Sequence, residues 1–135
     1  MYNLRDENEI TIVKEYVTWN DIEDFICYLS SVTDLTQYTG VYGPARGGVV
    51  FATIISNRFN LPYLGAPQKG CLIVDDICDT GNTALCWKDK GYELATMYYK
   101  KGAKVEPDFW WKEKEDKWIV FPIEKDNREV GKKYE

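Results

Sequence analysis

The sequence predicts an α/β fold, an open twisted parallel sheet flanked by helices, and three observations lead there. Strand-like runs alternate with amphipathic helical stretches from residue 10 to residue 121, the order that builds a parallel sheet through crossover helices. Leu72, Ile73 and Val74 form an unbroken apolar run, as in a strand covered on both faces. Two Gly-containing turns, over 42–48 and 79–83, each join such a strand to a helix.

Taken along the chain, residues 10–19 alternate loosely and are rich in Val, Ile, Thr and Tyr, which predicts a strand. Asn20 with Glu23 offers a capping box, and Ile22, Phe25, Ile26 and Leu29 recur at helical spacing, so residues 21–30 read as an amphipathic helix with that stripe in the core. A short strand over 40–43 precedes a helix over 48–59 that turns Phe51, Ile54, Ile55 and Phe59 inward. Residues 61–64 read as a strand, 72–74 as the next, and 85–90 as a short helix. Strands over 95–99 and 118–121 complete the pattern. Residues 1–124 then make a single domain, and 125–135 a polar tail with little to hold it.

With 135 residues, 44% hydrophobic and 29% charged, the chain has material for one core and not for two. A net charge of −5 argues against general nucleic-acid or membrane-surface binding, since both need a field that attracts anions. Any phosphate site must therefore be locally basic. Four cysteines without Cys-x-x-Cys spacing, in a chain without histidine, argue against zinc and predict reduced, mostly buried thiols. There is no charged-then-apolar leader and no apolar run near ~20 residues, so the cytoplasm is the expected compartment.

The chemistry concentrates in Cys71-Leu-Ile-Val-Asp-Asp-Ile-Cys-Asp-Thr-Gly-Asn-Thr-Ala84. Here an apolar strand delivers Asp75, Asp76 and Asp79 into a Thr/Gly turn. Asp75 and Asp76 are expected at the strand end, pointing to opposite faces and so serving different tasks. The turn leads into a helix whose free N–H groups and positive dipole end favour a phosphate. Gly81 permits positive φ, and Thr80 and Thr83 add hydroxyl donors.

This segment resembles the phosphoribosyl-pyrophosphate motif of the type I phosphoribosyltransferases: an apolar strand, two acids, two residues, then Asp-Thr-Gly-x-Thr. Tyr42-Gly-Pro-Ala-Arg-Gly-Gly48 extends the likeness. It is similar to the pyrophosphate loop of the xanthine-guanine and hypoxanthine members, which commonly reads Ser-Arg-Gly-Gly. Ala45 removes the hydroxyl, while Arg46 keeps a fork able to hold two oxygens and the amides of Gly47 and Gly48 open the next helix. Lys100-Lys101 after a strand, with Trp118-Ile119 downstream, resembles the base-binding region of the same enzymes. By that likeness Lys100, with Lys101 second, meets a purine 6-oxo group, and Trp118 and Ile119 form the platform, as stacking on indole suits a base.

The resemblance implies transfer of ribose 5-phosphate from phosphoribosyl pyrophosphate to N9 of a 6-oxopurine (hypoxanthine, guanine or xanthine), releasing pyrophosphate. It further implies Mg²⁺ as cofactor near Asp75 and Asp76, proton handling by Asp79, and a homodimer. Arg46 would hold the leaving group, and Thr80, Gly81, Asn82 and Thr83 the 5′-phosphate. Two departures stand out. Only Gly65-Ala-Pro-Gln-Lys-Gly70 separates the strand over 61–64 from the acidic strand, where the family usually has a longer hood, and Asn82 replaces a frequent second glycine. A lid excludes water from the reacting sugar. Its shortening leaves a second reading, a non-catalytic protein that binds phosphoribosyl pyrophosphate or a nucleotide and signals to a partner.

Overall fold

Residues 12–124 of the chain are described in a computed structural model. The tail expected over 125–135 and the first two positions of the strand expected over 10–19 lie outside them. In chain order the elements are β1 (Lys14–Tyr16), α1 (Trp19–Val32), a 3₁₀ turn (Leu35–Gln37), β2 (Val41–Tyr42), α2 (Gly47–Phe59), β3 (Leu72–Cys78), α3 (Asn82–Asp89), β4 (Glu93–Tyr99), β5 (Phe109–Glu113) and β6 (Trp118–Val120). They fall into two units, divided after Trp19 and before Asp116.

The larger unit is built on a parallel sheet of order β2-β3-β4-β5. Parallel strands need crossovers, and α2 and α3 supply two of them. The stripe Ile22, Phe25, Ile26 and Leu29 of α1 is buried as its spacing predicts, and the Phe25 ring meets Phe51 of α2 edge-on with centroids 5.5 Å apart. On α2 the buried face is Gly48, Phe51, Ala52 and Ile55. Ile54 and Phe59, expected inward, are only half-buried, because the spacing of the two small residues with Phe51 and Ile55 turns the helix so that its slimmest side meets the sheet.

The expected elements shift in several places. Helix α1 begins at Trp19, so Asn20 lies inside it, and the Glu23 carboxylate accepts from the Arg58 guanidinium at 2.6 and 2.8 Å. That pairing between helices replaces the capping box. The strand expected over 61–64 is reduced to one parallel bridge between Val41 and Tyr63. The Val41 N–H donates to Pro62 O and the Leu64 N–H returns to Val41 O, both at 2.9 Å, while Pro62, with no N–H, cannot extend the ladder toward its amino end. Strand β3 runs past Val74 to Cys78, α3 starts at Asn82, and β5 was not expected at all.

The smaller unit is a parallel pair, β1 with β6, in which Lys14 faces Trp118 and Tyr16 faces Val120. These two predicted strands thus pair with one another and not with the four-stranded sheet. The Val17 N–H donates to the Val120 carbonyl at 2.9 Å and extends the ladder. Of the cysteines, Cys71 and Cys78 are buried and Cys27 and Cys86 exposed, all as free thiols, so the expectation of mostly buried thiols holds for half of them.

Candidate functional site

In a parallel sheet all carboxyl ends point one way, and ligands collect at that edge. Here the segments following β2, β3 and β4 carry the residues singled out by the sequence. After β2, residues 43–46 lead into α2. Gly43 and Gly48 approach so closely that a Cβ on Gly43 would overlap the Gly48 carbonyl, and the Gly48 N–H donates to Pro44 O at 2.9 Å. The Ala45–Arg46 peptide is cis. Arg46 stands exposed as the N-cap residue of α2, where unpaired amides begin.

The loop is seated against the acidic strand. A Cβ on Gly47 would lie 2.8 Å from Cγ of Asp76, and one on Gly48 2.8 Å from Cδ of Pro44. The N-terminus of α2 therefore rests on the Asp76 carboxylate, where the dipole favours a negative charge. Asp75 and Asp76 are not at the end of β3 as expected but within it, since Asp75 pairs with Thr96 and the ladder continues to Cys78 with Tyr99. Alternation predicts opposite faces for their side chains, yet the Asp75 carboxyl lies close enough to that of Asp76 to hydrogen-bond with it and feel its charge. Each carboxylate also accepts the following backbone amide: Asp75 Oδ1 from Asp76 at 2.8 Å, and Asp76 Oδ1 from Ile77 at 2.7 Å. Burial, followed by the charge of Asp76, pushes the Asp75 carboxyl up to about 7. Two carboxylates offering oxygen alone suit Mg²⁺, which keeps several waters and takes further ligands from phosphates. Among the described residues no three His, Cys, Asp or Glu side chains converge as a dedicated cage.

Asp79 and Thr80 follow β3 and are exposed. The Asn82 N–H donates to Thr80 Oγ1 at 3.3 Å, and the Leu85 N–H to Gly81 O at 2.8 Å, closing the first turn of α3. Gly81 has φ +88, which glycine adopts without strain. Asn82 and Thr83 are exposed on the first turn of α3.

The third segment follows β4 and is tied to the second. The Lys100 N–H donates to Cys78 O at 2.9 Å, the Ala103 N–H to Lys100 O at 3.1 Å, and the Lys104 N–H to Thr80 O at 2.9 Å. Lys100 is therefore fixed beside the start of the Asp79 turn, and Lys101 reaches Glu113 at 3.6 Å. The sequence reading missed this clamp between loops. Its signal was Gly102, which turns the chain at φ +94.

In the smaller unit, Trp118 is 58% exposed at the start of β6 while Ile119 is 6% exposed. Adjacent strand residues point oppositely, so the two do not share one platform face, and Trp118 is the exposed one. The short connection over 65–70, expected to lack a hood, leads from the bridge at Tyr63 to the start of β3. The Thr39 N–H donates to Gly70 O at 3.0 Å and the Leu72 N–H to Gly40 O at 3.0 Å, so this connection ends at the amino ends of β2 and β3.

No family model matches the chain. It is 30% identical over 114 residues to the xanthine-guanine phosphoribosyltransferase of Idiomarina loihiensis, covering 64% of this chain and 71% of that protein. With the xanthine-guanine phosphoribosyltransferase of Nitratidesulfovibrio vulgaris it shares 29% identity over 133 residues, 78% of this chain and 82% of that one. Among solved structures, the purine phosphoribosyltransferase of Pyrococcus horikoshii matches with a TM-score of 0.72 at 27% identity, over 85% of this chain and 96% of the other.

Proposed function

This chain belongs to the type I phosphoribosyltransferase family and is a phosphoribosyltransferase, and on that premise we propose that it transfers ribose 5-phosphate from phosphoribosyl pyrophosphate to N9 of a 6-oxopurine. The observation that carries the reading is the gathering of three loops at one sheet edge. Gly47 rests on Asp76, and the Asp79 turn is clamped to the Lys100 loop through Cys78 and Thr80.

The bond between C1 of the sugar and pyrophosphate breaks, C1 gains positive character, and the bond to N9 forms on the opposite face. Arg46, with the Ala45 to Gly48 backbone, holds the departing pyrophosphate and so stabilises charge where it develops. Thr80, Gly81, Asn82 and Thr83 hold the 5′-phosphate at the start of α3. Asp75 and Asp76 orient the ribose hydroxyls and would hold hydrated Mg²⁺, which when bound offsets negative charge on the leaving group. Asp79 takes the proton that the purine ring gives up. Lys100 donates to the 6-oxo oxygen of the base; the family likeness offers Trp118, exposed on β6, as a stacking surface for a base, with Ile119 beside it in sequence but buried. A homodimer is the family habit we carry over.

Base competition tests the specificity. Hypoxanthine, guanine or xanthine should be used in preference to adenine, and Lys100→Met should erase that preference while leaving the KM for phosphoribosyl pyrophosphate near its original value. Equal use of adenine by the unaltered protein would contradict the 6-oxopurine assignment.

A further inference from the structure

The turn assigned to the 5′-phosphate contains no cation of its own. Its charged member is Asp79, and the first turn of α3 has neither acidic nor basic residues. A dianion placed there in a chain of net charge −5 needs a nearby positive group. The lysines around α3 are occupied: Lys88 pairs with Asp108 at 2.5 Å, Lys90 lies over the Trp87 ring at 5.6 Å, and Lys101 reaches Glu113. Arg46 belongs to the other loop.

Lys104 is different. Its backbone lies against the turn: the N–H donates to Thr80 O at 2.9 Å, and a Cβ on Gly81 would lie 3.2 Å from Lys104 Cα and 3.2 Å from its Cβ. Gly81 therefore does two things, adopting φ +88 and leaving space for the incoming lysine. The side chain is exposed and makes no ion pair among the described residues. We propose that Lys104 supplies the side-chain charge for the sugar 5′-phosphate, making it a binding residue contributed from a loop other than the phosphate turn. This rests on the phosphate reading of the turn and adds its cation. Because the same loop begins at Lys100, one short segment would contact the ligand at both its base and its phosphate.

Binding separates the two claims without relying on turnover. Calorimetric titration would compare inosine 5′-monophosphate with inosine for the full chain, Lys104→Gln, Lys104→Arg, and Lys69→Gln, the last removing a charge from the turn at the amino edge. The unaltered protein should prefer the monophosphate. Lys104→Gln should reduce that preference about tenfold, the size expected of one charge-assisted contact, while Lys104→Arg and Lys69→Gln retain it. An undiminished preference in Lys104→Gln, or an equal loss in Lys69→Gln, would overturn the role of Lys104 and leave the phosphate turn standing. No preference for the monophosphate in the unaltered protein would overturn both.

Discussion

Gly47 and Asp75 carry the account at the level of single residues. A methyl group on Gly47 would press into the Asp76 carboxylate, and that carboxylate cannot swing away cheaply because its Oδ1 accepts the Ile77 N–H at 2.7 Å. Gly47→Ala should therefore displace the pyrophosphate loop, and a misplacement of ~1 Å lowers turnover by about 10²-fold. Steady-state kinetics should show the loss in kcat/KM for phosphoribosyl pyrophosphate. Asp75 makes a prediction about pH. Burial and the neighbouring Asp76 hold its proton up to about 7 in the folded protein, whereas the unfolded chain releases it in the ordinary aspartate range. The folded state then binds more protons between those limits, so its contribution to stability is fully present below the unfolded value and lost as pH rises through about 7. Denaturant titrations of the ligand-free protein should show this decline, and Asp75→Asn should flatten it. An unchanged pH dependence in the variant would place the effect elsewhere.

Elements were legible where periodicity and burial coincide, and obscure where a partner distant in sequence decides. The α1 stripe was visible because Ile22, Phe25, Ile26 and Leu29 obey one helical spacing and all four are buried. Phe25→Ala should cost about 3–5 kcal/mol in chemical unfolding, since its ring is wholly buried against Phe51; a cost below ~1 kcal/mol would mean that α1 does not depend on this packing. The helix start was misplaced because Glu23 answers to Arg58, 35 positions away, and no local rule reveals that. Strand β5 escaped notice for a related reason. Phe109, Trp110 and Trp111 are strand formers, but they run together without alternation and are only half-buried, as suits the last strand of the sheet. The residues 61–64 erred the other way, apolar enough for a strand yet interrupted by Pro62.

For the molecule as a whole, the candidate site was the most legible feature, since each of its loops is a local signature at a strand end. Asp79-Thr-Gly-Asn-Thr83 and Ala45-Arg-Gly-Gly48 name their chemistry within a few residues. What the sequence could not show is how the loops are joined, because the bonds from Lys100 to Cys78 and from Lys104 to Thr80 close gaps of 22 and 24 positions. Nor could it show that the connection over 65–70 ends with Gly70 held beside Thr39 at the amino edge. Among the described residues no helix is long and apolar enough to cross a membrane. The central claim is turnover at the carboxyl edge. Its most direct test is to incubate the protein with Mg²⁺, phosphoribosyl pyrophosphate and hypoxanthine, guanine or xanthine, and to look for the nucleotide by mass, with Asp79→Asn as control. The account predicts nucleotide from the unaltered protein and its loss in the variant; saturable binding of phosphoribosyl pyrophosphate with no nucleotide from any of the three bases would contradict it.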